Sequence, residues 1–169
     1  VRPEALPYLK ARDERKAGGG KRAQLPFTTA QVEPDGLFKA AGLTGGGAKS
    51  ERFVVNSVHG KDHAARMCVV AERALVDFIT VYGAPEDLKD RAGLNKFDIV
   101  KDHLELGRVL QSAGWDAARI AEFLKYFGGT GLQPGQRVGT LSSGQDSDDN
   151  VAHMVTRSAA NAFRQVGVQ

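Results

Sequence analysis

The sequence predicts an α+β domain, in which a small three- to four-stranded sheet is packed by a long central helix and three further helices. One observation behind this prediction is that short runs rich in β-branched residues alternate with segments of helical periodicity, in the order β-α-β-α-α-β-α. Another is a length of 169 residues with 41% hydrophobic and 25% charged residues, which suits one globular domain with an extension. We therefore expect a basic, partly flexible extension over residues 1–26, a linker with a short helix over 27–48, and the α+β domain over 49–169.

Residues 51–83 contain the strand and helix around which we expect the other elements to pack. The run from Arg52 to Val58 is rich in β-branched residues and predicts a strand. From Asp62 to Tyr82 the polar residues fall on one narrow stripe, which predicts a long helix covered on most sides. Asp62 is expected to cap the start of this helix.

The glycine-rich segment that precedes this strand invites comparison with a phosphate-binding loop of the pattern G-x-x-x-x-G-K-[ST]. Ala48 stands where that pattern requires the glycine before the lysine, and Leu43 stands at its first glycine. The loop should also open a helix, whereas a strand follows here. We interpret the segment as part of the linker, after a short helix around residues 37–41.

The second half of the chain contains the remaining predicted elements. Asp102 is a helix N-cap, and Gly114 ends the helix that Asp102 begins. Apolar side chains recur at helical spacing in the two later helices. The predicted strands are 97–100 and 137–141, and the predicted helices are 102–112, 117–127 and about 149–166.

Composition excludes few functional classes. A net charge of +3 is too small to indicate nucleic-acid binding by the whole chain, and no apolar run is long enough for a membrane span. The single cysteine, Cys68, lies within the long helix and is interpreted as a small buried hydrophobe. The compartment is left open, because the chain begins at Val1, and a signal peptide before it would mean export.

The N-terminal extension carries more basic than acidic residues, and we expect it to contact a protein partner or a neighbouring subunit. The alternative is a nucleic-acid-associated module that acts through the same arm, although the arm lacks the repeated interleaving of aromatic and basic residues that base stacking uses. The candidate partner-binding residues are Arg2, Lys10, Arg12, Arg15, Lys16, Lys21 and Arg22.

Histidines are the main candidates for chemistry. His59 and His63 have the four-residue spacing with which two imidazoles share a metal ion, although Gly60 between them is expected to lie in a turn. A metal-dependent hydrolase that uses His59, His63 and His153 is therefore an alternative function. The acidic residues at 146, 148 and 149 lack the glycine turn and distal glutamate of a calcium loop, so we assign them to helix capping. No cofactor motif and no serine nucleophile elbow is present, so we expect no cofactor.

His153 lies in the segment from Asn150 to Asn161, which resembles the active-site helix of zinc metallopeptidases. The elements before it resemble those of peptidase-MA-like, gluzincin-type domains of bacterial proteins of unassigned function. The counterparts are the strand around Ser50–Val55, the long helix that ends at Tyr82, and the strand and helix of 97–112. The resemblance covers about residues 49–166 and implies that the His153 helix packs against the long helix.

Two departures decide what the resemblance implies for activity. Met154 replaces the glutamate of the His-Glu-x-x-His motif, and Arg157 replaces its second histidine. A catalytic zinc needs three protein ligands, and its bound water needs a general base. The resemblance therefore implies a non-catalytic scaffold or protein-interaction domain, as a subunit of a larger assembly or a fragment of a longer protein. His153 is its vestigial site residue, and no catalytic or metal-binding residue is expected.

Overall fold

The computed structural model describes residues 27–82, 96–127, 130–133, 137–141 and 147–165, which form a mixed sheet with helices on both faces. The strands are β1 (Ala30–Val32), β2 (Gly46–Lys49), β3 (Val54–Ser57), β4 (Lys96–Val100), β5 (Thr130–Gln133) and β6 (Arg137–Leu141). The helices are α1 (Gly36–Ala40), α2 (Lys61–Tyr82), α3 (His103–Ser112), α4 (Ala117–Phe127) and α5 (Ser147–Gln165).

The six strands lie in the order β1-β2-β3-β4-β6-β5. The central strands β3, β4 and β6 are parallel, whereas β1, β2 and β5 each run antiparallel to the neighbour that they pair with. Parallel neighbours need a crossover connection, and α2 supplies it between β3 and β4. The carboxyl ends of the three parallel strands therefore lie at the same edge of the sheet.

One core cluster fills the space between the sheet and the helices α2 and α5. Helix α2 contributes Met67 and Leu75, and α5 contributes Val151 and Val155, all almost fully buried. Burying a side chain of this size stabilises the fold by about 1.5–3 kcal/mol. Helices α2 and α5 pack directly against each other, as the sequence predicted for the His153 helix.

A second core cluster lies on the opposite face of the sheet, under α1, α3 and α4. Successive side chains of a strand point to opposite faces, and accordingly Ile99 belongs to the first cluster and Val100 to the second. Phe38 of α1 is fully buried here. The predicted cap of α3 is confirmed, because the Asp102 side chain accepts a hydrogen bond from the Glu105 amide at 2.8 Å.

The predicted linker over residues 27–48 is instead part of the fold. It contributes β1, α1 and β2, so the sheet extends beyond the three or four strands expected from the sequence. The glycines of β2 are required by close packing: a Cβ atom at Gly46 would collide with the backbone of Lys61, and one at Gly47 would lie 2.8 Å from the Val32 carbonyl oxygen. Glycine in a strand here marks close backbone approach, whereas the sequence interpretation placed it in a linker.

Helix α2 begins differently from its prediction. The Gly60 carbonyl accepts the Ala64 amide at 3.0 Å, and Gly60 has φ 103°, a conformation that glycine adopts without a steric penalty. Asp62 lies inside the first turn and accepts a hydrogen bond from Gln31 at 2.9 Å. The expected Asp62 cap is therefore wrong, and the carboxylate ties the helix to β1.

The α+β class predicted from the sequence is confirmed. None of the described helices combines the length and apolarity that a bilayer crossing requires. The basic extension over residues 1–26 lies outside the described residues.

Candidate functional site

A cluster of Ser57, His59 and His63, here called the Ser57 cluster, lies where β3 ends and α2 begins. The Ser57 side chain is fully buried, and its Oγ lies 2.8 Å from Nδ1 of His63. The same oxygen accepts a hydrogen bond from the His59 amide at 3.1 Å. The two imidazole rings meet edge to face, with their centroids 5.0 Å apart. One buried hydroxyl thus bonds both the ring of His63 and the backbone of His59.

The local sequence explains why this cluster forms. Ser57 is the last residue of β3, and its partner in the register on β2 is Gly46. Since Gly46 has no side chain, the start of α2 lies directly against the sheet. His63 then stands in the first turn of α2, where its ring reaches back to the strand end.

The pKa of His63 is lowered from 6.5 to about 4, chiefly by burial and to a smaller extent by the electrostatic effects of His59 and Arg66, which outweigh the opposing effect of Asp148. His63 is therefore neutral at pH 7. A neutral imidazole has one nitrogen that accepts a hydrogen bond or binds a metal ion.

Arg66 and Asp148 connect the beginnings of α2 and α5. Their closest nitrogen and oxygen atoms are 3.4 Å apart, and both side chains are about half exposed. The contact is an ion pair without hydrogen-bond geometry, because Oδ1 of Asp148 has no hydrogen-bond partner in the described part of the chain. An exposed pair of this kind contributes at most about 1 kcal/mol.

His153 and Arg157 lie on the exposed side of α5, whereas Met154 is 3% exposed and belongs to the core that faces α2. Residues four apart share one face of a helix, so the two positions that align with the histidines of the metallopeptidase motif face outward together. The position that aligns with the catalytic glutamate is buried among apolar side chains.

The alternative function, a metal-dependent hydrolase, required three histidines, and the structure brings two of them together. His59 and His63 are neighbours, and within the described ranges no three His, Cys, Asp or Glu side chains form a group that could hold a metal ion. His153 therefore does not join His59 and His63 as a third metal ligand. The seven basic residues between Arg2 and Arg22 lie outside the described residues.

Cys68 is buried in the first core cluster, as predicted. Burial raises the pKa of its thiol to about 11. A thiol with so high a pKa is almost entirely protonated at pH 7, and only the thiolate is a good nucleophile. Cys68 is a core residue and not a candidate for covalent catalysis.

Glu72 was missed by the sequence interpretation, although it is a charged residue outside the polar stripe of α2. Its fully buried carboxylate accepts hydrogen bonds from the Ser50 hydroxyl at 2.8 Å, the Arg52 amide at 2.8 Å and the Arg52 guanidinium at 2.7 Å. These bonds hold the turn between β2 and β3. A cavity of about 350 Å³ adjoins this network, and residues 27–30 and 49–51 line it together with Glu72.

Asn56 and Asp98 form a second buried polar pair, on neighbouring strands of the central sheet. They are partners in the parallel register of β3 and β4, and the Asn56 amide donates to the Asp98 carboxylate at 3.0 Å. Oδ1 of Asn56 also accepts from the Asp35 amide at 3.4 Å, which ties the loop before α1 to the sheet. In the sequence, the signal that could have indicated this pair is a polar residue within each of two predicted strands.

Comparison with known proteins adds no relative. No protein-family model, no curated protein and no solved structure matches this chain. The resemblance to peptidase-MA-like domains rests on the residues quoted above and stays a prediction.

Proposed function

We propose that this chain is a non-catalytic scaffold or protein-interaction domain with a degenerate metallopeptidase-like core. It would act as a subunit of a larger assembly or as part of a longer protein. The observation that carries the proposal is the burial of Met154 in the core between α5 and α2. A general base at this position would be a carboxylate among apolar side chains, where its charged form is strongly disfavoured.

The packing of α5 supports the same conclusion. Val151, Met154, Val155 and Ala159 are all nearly or fully buried and belong to the cluster that α2 completes. The helix that would carry the metal ligands in a peptidase here serves to close one face of the sheet. Its contribution is one of stability, and its exposed side remains open for contact with other molecules.

The exposed side of α5 also lacks the chemistry of a zinc site. Arg157 occupies the position of the second histidine, and a guanidinium has no lone pair to offer a metal ion. His153 is then the one histidine left from the motif, and among the described residues it belongs to no group of three side chains that could hold a metal ion, whereas a catalytic zinc requires three protein ligands.

A peptidase assay on the purified chain tests the non-catalytic half of the proposal. Casein and a library of quenched fluorescent peptides are incubated with the chain in the presence of added zinc, and His153→Ala is measured in parallel. We expect both proteins to give the rate of buffer alone. Zinc-dependent hydrolysis that His153→Ala abolishes would overturn the proposal.

The other half of the proposal is that the domain contacts a protein partner. Cross-linking in the cells that produce the protein naturally tests it. We expect lysine cross-links from residues 10–21 to one defined protein, and we expect them to disappear when Arg2, Arg12, Arg15 and Arg22 are replaced by glutamine, which leaves the lysines of the arm in place. A matched control replaces exposed basic residues of the folded domain and should keep the cross-links; its positions are Lys61, Arg73, Lys96, Arg108 and Arg157.

The same arm variant separates the nucleic-acid alternative from a protein partner. Counterion release makes binding to nucleic acid fall steeply as salt rises. Binding of a DNA or RNA duplex that shows this slope and is lost in the arm variant would favour the nucleic-acid module. We expect instead no salt-dependent binding beyond that of the control variant.

A further inference from the structure

We propose that His59 and His63 form a two-histidine binding site for a transition-metal ion of the zinc, nickel and copper class. This inference goes beyond the scaffold function and does not depend on it. It starts from the juxtaposition of the two rings where the turn after β3 leads into α2, with centroids 5.0 Å apart. Zinc, nickel and copper ions all bind the imidazole group of histidine.

The separation of the rings suits a shared ion. A zinc–nitrogen bond of about 2.0 Å places the metal roughly 3.2 Å from the centre of each ring. At the tetrahedral angle, two such rings have centres about 5.2 Å apart. The observed 5.0 Å is close to this value, so the two rings lie within reach of one ion.

Ser57 orients one of the two ligands. Its Oγ is bonded to Nδ1 of His63, so the metal would be bound through Nε2. Histidine ligands in metal sites usually have such a hydrogen bond on the second nitrogen, because it fixes the tautomer and the ring orientation. Ser57 also accepts the His59 amide, which places the backbone of the other ligand. Binding would exchange the present edge-to-face ring contact for two metal–nitrogen bonds.

The coordination number predicts a modest affinity. Structural zinc sites have four protein ligands, whereas the described residues supply two imidazoles to this site. Asp148 is near His63 but is paired with Arg66, and it does not join the two histidines in a metal-binding group. A site of this kind holds its ion exchangeably and differs from a closed structural centre.

The test is a titration of the tag-free chain with Zn²⁺, Ni²⁺ and Co²⁺, followed by calorimetry and by the absorption of bound Co²⁺. We expect one site per chain, with binding at least tenfold weaker in His59→Gln and in His63→Gln. Ser57→Ala should weaken binding about tenfold, as loss of an orienting partner does in other metal sites. His103→Gln and His153→Gln are the matched controls, because both residues are exposed histidines outside the pair, and they should bind as the parent chain does.

Two results would overturn the inference. One is the absence of saturable binding up to millimolar metal, and the other is unchanged binding in both His59→Gln and His63→Gln. His59 is exposed, so His59→Gln gives an interpretable result even if replacement of the half-buried His63 disturbs folding. Hydrolysis is not the readout here. A metal ion bound without peptidase activity supports this site and leaves the scaffold proposal intact.

Discussion

At the scale of single residues, the buried carboxylate of Glu72 is the most consequential charge in the described structure. Three hydrogen bonds from Ser50 and Arg52 satisfy it, and the partner guanidinium is 24% exposed. Breaking a buried pair by removing one partner is expensive, because the other charge then remains without compensation. Glu51, which lies 3.2 Å from the same guanidinium but is largely exposed, offers a direct comparison.

We predict that Glu72→Gln lowers the free energy of unfolding by about 3 kcal/mol, the lower end of the range for a broken buried pair, since Arg52 is partly exposed. Glu51→Gln removes an exposed ion pair and should cost less than about 1 kcal/mol. Urea unfolding of both variants measures the difference. Equal losses in the two variants would show that burial of Glu72 does not set its contribution.

Cys68 gives a prediction about pH. Its folded pKa is raised by burial from 9.0 to about 11, so the unfolded chain loses the thiol proton first as the pH rises. The contribution of the buried thiol to stability is therefore complete below pH 9 and is lost between about pH 9 and 11. Cys68→Ala should flatten the fall in stability over this window, as measured by urea unfolding at a series of pH values. The idea fails if the parent and Cys68→Ala lose stability in parallel.

At the scale of elements, β2 shows how close packing selects the residue type. Gly46 lies against the backbone where α2 begins, and backbone atoms cannot move aside as the end of a flexible side chain can. The same segment was interpreted as a linker because glycine clusters are common in loops. Burial of β2 therefore depends on the helix that packs against it, and the local composition of the segment contains no information about that helix.

We predict that Gly46→Ala destabilises the fold by about 1–3 kcal/mol, the usual cost of overpacking a core. Gly36→Ala is the control, since a Cβ atom there meets nothing within 4 Å, and it should be neutral or slightly stabilising at the start of α1. Thermal unfolding of the two variants provides the comparison. A neutral Gly46→Ala would mean that the start of α2 can move away from β2.

Placing the residues of the His-Glu-x-x-His pattern at positions 154 and 157 tests whether α5 is a core helix or borders a cleft. Met154→Glu should lower the free energy of unfolding by at least about 3 kcal/mol, because it places a carboxyl group in an apolar core. Arg157→His, on the exposed side of the same helix, should change it by no more than about 0.5 kcal/mol. Chemical denaturation gives both values. Full tolerance of Met154→Glu would indicate that this position faces solvent, and it would weaken the scaffold proposal.

At the scale of the whole molecule, two core clusters on opposite faces of one sheet unite segments from residue 37 to residue 160. The segment before β3 belongs to this unit, since β2 pairs with β3 along four residues. Amide hydrogen exchange measures this directly. We expect the β2 amides to be as strongly protected as those of β3, whereas a linker would exchange its amides within seconds.

Much of the described fold was predictable because its signals are local. The periodicity of α2, α3 and α4 and the β-branched run of β3 place these elements to within a few residues of their observed bounds. The candidate site was predictable in part: the spacing of His59 and His63 identified the pair. Its contact with Ser57 was not predictable, since it depends on how closely α2 approaches the end of β3.

The sequence by itself determined where the longer helices and the central strands lie, because side-chain periodicity is a property of neighbours along the chain. Only the tertiary structure decided that the glycines of β2 form a strand, that Glu72 is buried and satisfied, and that Met154 faces the core while His153 faces solvent. Each of these outcomes depends on which surface a distant segment covers. That coverage is a property of the folded chain and cannot be read from residues that are neighbours along the sequence.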